Sequence, residues 1–429
     1  MEALMRVSDG GYSNLVLDSV LSSADFDGRD KAFAARLFYG VTERMLTLDH
    51  IISLYSKKPL RSLDKSVLAV LRMGIYQLLY MDSVPDSAAV NESVDIIKKC
   101  GKASASGFVN AVLRGFIRDN KSFPLPKDTI KRLSVEYSFG EALAARLVKQ
   151  YGREKAEEFM KASLEPHKLY LSVNNTKITA DALIEKFGEI GIKAYKSEYD
   201  ENCLCTEAFG SVEKNELFER GYYHVQDLSS RLCCKALAPG AGEKILDICA
   251  APGGKSFTIA ELTKDSCEIT SCDLHKKRAE LVRKGAERLG LKSIKALQND
   301  AKVYNSDFPQ FDRILCDVPC SGTGVVRSKP EIKYISLENA AGLPEIQYQI
   351  LETAARYLKI GGTLVYSTCT ILKEENDEVI DRFLSSHSDF EGVPFLEELG
   401  SPFGGYKTVI FPNDMGCEGF FISCVRRIK

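Results

Sequence analysis

The stretch KILDICAAPGGKS, residues 244–256, passes from an apolar run through a glycine-containing turn into a helical pattern. A strand, a tight loop and a helix in this order are typical of α/β folds that hold a ligand beside the loop. Gly253 and Gly254 would let the backbone approach that ligand, and the start of the helix would favour a negative group. The spacing is not GxGxxG, and Pro252 fits a dinucleotide pyrophosphate turn poorly. The stretch therefore predicts a cofactor site that is not a standard dinucleotide site.

Strand-like and helical runs alternate from Gly242 onward. The strand candidates are KILDIC (244–249), EITSCD (268–273), SIKALQ (293–298), RILCD (313–317), TLVYSTC (363–369) and GFFISCV (419–425). The helical candidates between them are Lys255–Leu262, Lys276–Leu289, Leu343–Leu358 and Glu374–Ser385. This alternation predicts an α/β doubly wound, Rossmann-like domain over residues 236–429, with helices on both faces of the sheet. Ligands of such sheets bind beyond the carboxyl ends of the strands.

The N-terminal third predicts an all-α domain over residues 1–140. Apolar side chains recur at helical spacing, as in Phe33, Leu37 and Val41, and prolines mark the breaks. Within it, the basic stretch 57–132 holds fourteen Lys or Arg against seven Asp or Glu, a net charge of 14 − 7 = +7. Such a stretch is either a solvated helical face or a surface that contacts phosphates, and charge alone does not decide between them.

Residues 141–235 predict a linker helix followed by a small α+β module. LYLSVN (169–174) and KAYKSEY (193–199) are strand-like, and TADALIEKFGEIG (179–191) between them has the pattern of an amphipathic helix. A chain of 429 residues is long enough to bury a core in each of three domains.

Composition bounds the class of protein. Basic and acidic residues are nearly balanced, at 57 and 59, and no apolar run approaches the roughly 18 residues that span a bilayer. The thirteen cysteines are expected to remain reduced thiols, and the Cys203-x-Cys205 and Cys233-Cys234 spacings match no familiar zinc pattern. We expect a cytoplasmic protein without membrane partner or metal. Its oligomeric state stays open, with a monomer as the expectation.

Acidic residues end successive strand candidates. Asp273 lies twenty residues after Gly253, where an acid can accept hydrogen bonds from ribose hydroxyls. Asp300, with Asn299, follows the next strand candidate and suits the edge of an adenine ring, and Asp317 ends the one after it. Any one of these acids is more often an ordinary strand-end cap. Together they favour S-adenosylmethionine, which has a ribose, an exocyclic amine and a cationic amino acid, over NAD, whose pyrophosphate must be cradled.

Two cysteines follow strand candidates that end at the same edge. Cys320 stands in DVPCSGTG (317–324) and Cys369 in YSTCT (366–370). A thiolate there is a nucleophile that its surroundings can activate. Attack at C6 of cytosine, with an acid polarising N3, makes C5 able to take a methyl group, and loss of the C5 proton then needs a base. These residues do not decide which cysteine attacks.

These motifs resemble those of the RNA cytosine-C5 methyltransferases of the NOL1/NOP2/Sun family. The resemblance rests on CAAPGGK (249–255), Asp273, Asp300, DVPCSGTG (317–324) and STC (367–369), with support from VQDLSS (225–230), RSKPEIKY (327–334) and EGFF (418–421). In the helical third, RLFYGV (36–41), residues 70–98 and GFVNAVLR (107–114) are similar to the NusB-type RNA-binding domain that bacterial 16S rRNA members carry.

The resemblance implies a site and a substrate. S-adenosylmethionine would be bound by Cys249, Ala250, Ala251, Pro252, Gly253, Gly254, Lys255, Asp273, Asp300 and Asp317. It implies that Cys369 is the nucleophile, that Cys320 assists product release and that Asp317 helps polarise the base. The implied substrate is RNA, naked or partly assembled 16S rRNA, methylated at C5 of one cytosine.

Alternatives and departures remain. The same motifs would serve a tRNA or another rRNA cytosine, and the helical domain alone would suit a non-catalytic RNA-binding factor. A nicotinamide oxidoreductase is disfavoured because its phosphate fingerprint is absent. The family's paired basic residues stand here as Arg327-Ser328-Lys329, and its Pro-His segment as Pro412-Asn413. The chain has no tryptophan, so a flipped base would stack on Tyr, Phe or Arg.

Overall fold

The computed structural model describes residues 1–8, 10–11, 13–22, 26–207, 209 and 212–429. These residues form two compact units. The helical unit comprises Met1–Glu165 and Val326–Leu337, and the α/β unit comprises Pro166–Val325 and Glu338–Lys429. The predicted domain boundaries at residues 140 and 235 stay a prediction. Within the described ranges, no helix combines the length and apolar character that crossing a membrane requires.

The helical unit has the all-α architecture predicted for it. Its α-helices are α1 Glu2–Ser8, α2 Ser13–Ser22, α3 Gly28–Glu43, α4 Met45–Tyr55, α5 Lys65–Tyr80, α6 Asp86–Lys99, α7 Ser106–Arg118, α8 Thr129–Tyr137, α9 Glu141–Tyr151 and α10 Arg153–Ala162. The Asp64 side chain caps α5 by accepting from the Ser66 N–H at 2.9 Å. Leu37 and Val41 are buried as their spacing predicts, but Phe33 is 44% exposed, so the apolar stripe of α3 begins one turn later than expected.

One segment of the helical unit comes from far along the sequence. Val326–Leu337 follows the DVPCSGTG stretch, yet it packs with the helices of residues 1–165. The Tyr334 hydroxyl lies 2.7 Å from the Thr42 carbonyl oxygen and accepts from the Met45 N–H at 3.1 Å. The Lys333 carbonyl accepts from the Gly140 N–H at 2.9 Å. Sequence reasoning placed this segment in the catalytic domain, because nothing in its composition indicates such distant partners.

The α/β unit begins with a small antiparallel sheet. Its elements are β1 Leu169–Val173, α11 Ala180–Glu189, β2 Ala194–Lys196, β3 Cys203–Thr206, α12 Glu216–Glu219 and β4 Tyr223–Val225. The strand order is β2-β3-β1-β4. Leu171, Leu183 and Leu204 pack together beneath the sheet and are fully buried. This confirms the predicted α+β module, although β3 and β4 carry no signal that the sequence analysis recognised.

A larger sheet of eight strands follows, with helices on both of its faces. Its elements are α13 Leu228–Ala236, β5 Lys244–Asp247, α14 Gly254–Leu262, β6 Glu268–Asp273, α15 Lys276–Leu289, β7 Ile294–Gln298, β8 Phe311–Asp317, α16 Leu337–Ala340, α17 Leu343–Ala355, β9 Leu358–Thr368, α18 Asp377–Ser386, β10 Phe390–Gly392, β11 Lys407–Ile410, α19 Pro412–Met415 and β12 Phe420–Arg427. The strand order is β10-β12-β9-β8-β5-β6-β7, with β11 paired to β12. Strands β5 to β9 pair in parallel, and β10, β11 and β12 are joined antiparallel.

Alternate residues of the central strands pack into two hydrophobic cores, one on each face of the sheet. Ile245 and Leu315 pack on one face with α13 and α14, and Leu246 and Ile314 pack on the other with α17. All four are fully buried, as expected for parallel strands covered on both faces. The doubly wound, Rossmann-like prediction is therefore confirmed.

Several predicted boundaries are wrong, and the largest difference is at the start of β9. The helix expected over Leu343–Leu358 ends at Ala355, and β9 already begins at Leu358. Leu358 pairs with Phe311, and the register shifts between Phe311 and Arg313. Gly361 has φ +81°, a conformation that favours glycine, so the strand passes irregularly through the glycine pair before residue 363, where the predicted strand begins.

Candidate active site

The predicted site residues lie at the carboxyl ends of the parallel strands. β5 stands between β6 and β8, so the chain leaves β5 toward one side of the sheet and returns on the other. Such a switch point opens a crevice where loops diverge, and this is where doubly wound sheets bind ligands. The loops after β5, β6, β7, β8 and β9 carry the residues that the sequence analysis selected.

The loop after β5 forms a backbone cradle. Gly253 has φ +116°, and a Cβ atom there would stand 2.4 Å from the Phe257 ring, so only glycine fits without strain. The chain enters α14 directly afterwards, which leaves N–H groups of its first turn without helical partners. The cradle therefore suits a negative group such as a carboxylate.

A cavity of about 180 Å³ adjoins this cradle. Of the predicted cofactor residues, Cys249, Ala250, Ala251, Pro252, Gly254, Lys255 and Asp317 line it. Gln226, Asp227, Ser230 and Asp247 line it as well, and sequence reasoning did not select them for the site. The VQDLSS stretch was a signal for three of these four, but it was used only to support the family resemblance.

Asp247 is the most unusual acid of this cavity. Its side chain is fully buried, and Oδ2 accepts from the Ser256 hydroxyl at 2.6 Å while Oδ1 has no protein partner. Burial raises its pKa to about 7, against the lowering effect of the Ser256 hydrogen bond. A buried acceptor without a partner at a cavity wall indicates that a ligand group completes the site.

A second, more open cleft lies beyond β6 and β7. Asp300 lines it together with Leu274, Asn299 and Tyr304. Asp273 is buried at the end of β6, where Oδ1 accepts from the His275 N–H at 2.9 Å and Oδ2 lies 3.4 Å from Arg278. A cleft that combines Leu274, Val303 and Tyr304 with amide and carboxyl groups suits a nucleoside.

The two cavities together fit the cofactor that the sequence predicts. S-adenosylmethionine has a nucleoside for the open cleft and a zwitterionic amino acid for the cradle and its acids. Gln226 supports this fit, because its buried Nε2 lines the smaller cavity and has no hydrogen-bond partner in the protein.

Asp317 connects the cofactor cradle to the two cysteines. Its Oδ2 accepts from Lys255 Nζ at 2.7 Å, and its Oδ1 accepts from the Ser367 hydroxyl at 2.9 Å. Burial alone would lower the pKa of Lys255, but the charge and the hydrogen bond of Asp317 outweigh this effect and raise it. Lys255 is therefore a cation in the free protein.

The two predicted catalytic cysteines are in contact. Cys320 Sγ lies 3.1 Å from Cys369 Sγ, although 49 residues separate them in sequence. The Gly324 N–H donates to the Cys369 carbonyl oxygen at 3.0 Å, so the two loops are also joined through the backbone. The hydrogen bond with Cys369, burial and the nearby carboxylates raise the pKa of Cys320 well above its usual value. Cys320 is therefore held as a thiol.

Other side chains near the site escaped the sequence analysis. His167 Nε2 lies 3.1 Å from Glu418 Oε1, and the Glu418 N–H lies 3.2 Å from Asp227 Oδ1. A histidine outside every motif thus faces the acid of the EGFF stretch, where the family's own histidine segment is missing. Buried Glu375 and Gln347 were also missed, since each stands in a helical or turn pattern without a distinguishing neighbour.

Comparison with known families matches three parts of the chain. The family described as 16S rRNA methyltransferase RsmB/F matches residues 234–426. The NusB family matches residues 1–118. A ferredoxin-like domain of RsmF/B-like methyltransferases matches residues 141–213. The matches agree with the all-α, α+β and α/β parts seen in the structure.

Curated relatives extend over almost the whole chain. The probable ribosomal RNA small subunit methyltransferase B of Bacillus subtilis (strain 168) is 39% identical over 437 residues, covering 100% of this chain and 97% of that protein. The ribosomal RNA small subunit methyltransferase B of Escherichia coli O157:H7 is 34% identical over 397 residues, covering 92% and 90%. The resemblance that the motifs indicate is therefore confirmed.

Solved structures share the fold. The crystal structure of PH0851 has a TM-score of 0.84 at 25% identity and covers 99% of this chain and 97% of that chain. NSun6 from Pyrococcus horikoshii, determined with SFG, has a TM-score of 0.63 at 24% identity and covers 68% of this chain and 99% of that chain. The second likeness concerns the fold alone.

Proposed function

Because the chain belongs to the ribosomal RNA small subunit methyltransferase B (RsmB) family, we propose that it methylates C5 of one cytosine in 16S rRNA, using S-adenosylmethionine. The relatives' names motivate the substrate. The observation that carries the chemistry is the contact of the Cys320 and Cys369 sulfur atoms, 3.1 Å apart, in loops adjoining the Asp317–Lys255 pair. A non-catalytic RNA-binding factor would have no need for this arrangement.

Separate groups of residues would hold the two ends of the cofactor. Asp273 and Asp300 would accept hydrogen bonds from the nucleoside, and the Cys249–Gly254 backbone would receive the carboxylate of the amino acid. Asp247, with its unpartnered Oδ1, would accept from the amino group. When bound, S-adenosylmethionine supplies an electrophilic methyl group on a sulfonium.

Cys369 is the proposed nucleophile. Its thiolate would form a bond to C6 of the cytosine while Asp317 helps to polarise N3, which leaves an enamine with electron density at C5. The raised pKa of Cys320 supports this division of roles, because a thiol that keeps its proton is a hydrogen-bond donor and not the attacking thiolate.

Cys320 is the proposed participant in release. After C5 has been methylated, a base must take the C5 proton so that the C5–C6 double bond forms again and the bond to Cys369 breaks. The electron pair returns to the Cys369 sulfur, which the neighbouring Cys320 thiol stabilises by a hydrogen bond. Without Cys320, the account expects the covalent adduct to persist.

The helical part, residues 1–140, is the proposed RNA-docking domain. It matches the NusB family and contains the basic stretch 57–132. The target base must leave any local stack before it can reach the crevice. We therefore propose naked or partly assembled 16S rRNA as the substrate, since stacking and protein cover would hinder the base in a finished subunit.

The function is tested by transfer of labelled methyl from S-adenosylmethionine to unmodified 16S rRNA and, in parallel, to bulk tRNA. We expect label in 16S rRNA as 5-methylcytosine, with none after Cys369→Ala. Cys100→Ala is the matched control, since Cys100 is a partly exposed cysteine of the helical unit. Label in tRNA alone would replace the substrate, and no label in either RNA would contradict the proposal.

A further inference from the structure

The peptide groups on both sides of Cys320 are held by two buried side chains. The Ser321 N–H donates to Glu375 Oε2 at 2.9 Å. Gln347 Nε2 donates to the Pro319 carbonyl oxygen at 2.9 Å and to Glu375 Oε2 at 2.8 Å. Gln347 is fully buried and Glu375 is 1% exposed. The turn that presents Cys320 is thus anchored from inside the protein.

The same carboxylate reaches the loop of the second cysteine. Thr370, which follows Cys369, has its hydroxyl 3.4 Å from Glu375 Oε1 and 2.9 Å from the Ser321 hydroxyl. The Thr370 hydroxyl also lies 2.6 Å from the Thr323 hydroxyl. Thr370 is fully buried, so water cannot replace these partners. One buried network therefore spans the loops after β8 and β9.

Glu375 is itself fixed in place. It lies in a short turn before α18, and the Tyr366 hydroxyl donates to its carbonyl oxygen at 2.6 Å. Burial raises the pKa of Glu375, and the hydrogen bonds from Ser321 and Gln347 oppose that effect. A buried carboxylate is costly unless donors surround it, and here the donors belong chiefly to the cysteine loops.

We propose that Glu375 is a positioning residue that holds the Cys320 and Cys369 loops so that the two sulfur atoms stay in contact. The expected effect of Glu375 on methyl transfer rests on the proposed function. Glu375 orients the turn of Cys320 through Ser321 and Gln347, and the turn of Cys369 through Thr370. Misplacement of a reacting group by about 1 Å costs on the order of 100-fold in rate, so a loosened loop would slow both addition and release.

The test measures the distance between the sulfur atoms without using methyl transfer. Phenylarsine oxide bridges two neighbouring thiols. Two S–As bonds form, and the oxide oxygen leaves as water with both thiol protons. Bridging between other cysteines continues in Cys369→Ser, so its rate is the background. The signal is the bridging rate of each protein after this background has been subtracted. The methyl-transfer kcat and the KM for S-adenosylmethionine are measured beside it.

The variants separate geometry from charge. Glu375→Ala is expected to slow bridging at least about 10-fold and to lower kcat by on the order of 100-fold, with the KM for the cofactor unchanged. Glu375→Gln is expected to keep near-normal bridging. Its carbonyl oxygen can accept from Ser321 and Gln347, and its amide can donate to Thr370. Glu378→Ala, which changes an exposed glutamate of α18, is the matched control and should bridge as the wild type does.

Bridging at the wild-type rate in folded Glu375→Ala would overturn the proposal. An equal decrease of the bridging rate in Glu375→Gln and Glu375→Ala would overturn it as well. If Glu375→Ala fails to fold, as shown by loss of cofactor-induced thermal stabilisation, Thr370→Val decides. Slow bridging in that variant supports the proposal, and the wild-type rate overturns it. Because bridging needs no RNA, a protein that bridges as expected but does not methylate would leave this inference standing and remove the proposed function.

Discussion

Cys320 and Cys369 differ from the other eleven cysteines by their position in the fold. Each follows a parallel strand, and their sulfur atoms lie 3.1 Å apart. Elsewhere, burial raises the pKa of Cys233 and Cys272 to about 12, so these thiols are unreactive parts of the core. The sequence motifs were enough to select the pair. They could not give the contact, because it depends on the register of β8 against β9, where Asp317 pairs with Ser367.

Asp247 gives a prediction about stability and pH. Its pKa is about 7 in the folded protein, against 3.8 for an ordinary aspartate. A raised carboxyl pKa means that the folded state binds the proton more tightly, so this contribution to stability is full below about pH 4 and is lost as the pH rises through 7. Wild type should therefore lose free energy of unfolding between pH 4 and pH 8, and Asp247→Asn should not. The difference between the variant and the wild type should grow by at most about 4 kcal/mol over this range in the cofactor-free protein.

Urea denaturation at pH 4, 6 and 8 measures this difference. Asp307→Asn, at an exposed position of the same unit, is the control and should show the same pH dependence as the wild type. A wild-type minus Asp247→Asn difference that does not change with pH would show that Asp247 is not the group responsible.

At the scale of elements, the central strands were predictable and the sheet edge was not. KILDIC and RILCD are short apolar runs, which parallel strands buried on both faces require. Strands β10 and β11 are short, and β11 is only partly buried, so they lack the apolar run that marks a central strand. The site residues were found because they follow the central strands, whereas Glu375 and Gln347 become visible only when distant loops meet. The catalytic and cofactor-binding roles stay predictions.

The turn between β5 and α14 gives the second prediction. Gly253→Ala forces a Cβ into the Phe257 ring at φ +116°, so it should destabilise the α/β unit by about 1–3 kcal/mol and weaken S-adenosylmethionine binding. Gly188→Ala is the matched control, because a Cβ there meets nothing within 4 Å in the last turn of α11. That change should stabilise the same unit by at most about 0.5–1 kcal/mol, the value for the middle of a helix.

Urea denaturation and isothermal titration with S-adenosylmethionine measure the two effects. Normal affinity and stability for Gly253→Ala would mean that the cradle does not depend on its left-handed glycine.

At the scale of the whole molecule, fold class and family followed from motifs that cover nearly the whole chain. The excursion of Val326–Leu337 into the helical unit could not be foreseen. Its anchors include the Tyr334 hydroxyl, backbone groups and the Glu331 side chain, which accepts from the Ser13 N–H, and such distant partners leave no pattern in the sequence. The basic stretch 57–132 is likewise only partly informative, because Lys102 pairs with Asp64 at 2.7 Å and Lys98 lies 3.3 Å from Asp95.

RNA docking gives the third prediction. Reversing the charge of Lys98, Lys99 and Lys102 to Glu should weaken RNA binding and leave cofactor binding intact. The slope of the logarithm of the RNA affinity against the logarithm of the salt concentration should become shallower by at most about 0.7–0.9 for each phosphate contact that is lost. All three side chains are exposed near the end of α6. Filter binding to a 16S rRNA fragment over a range of salt concentrations measures the slope. The control reverses three exposed lysines outside the basic stretch, Lys149, Lys161 and Lys214. Equal slopes for wild type and the first variant would rule out this docking face.

The most direct test of the account is to incubate unmodified 16S rRNA and S-adenosylmethionine with Cys320→Ala, Cys369→Ala and the double variant, and then to look for protein–RNA adducts that survive denaturation. The account predicts an adduct with Cys320→Ala alone, because Cys369 can attack but release fails. An adduct with Cys369→Ala instead would exchange the roles of the two thiols. Full methylation by Cys369→Ala would contradict covalent catalysis through this residue.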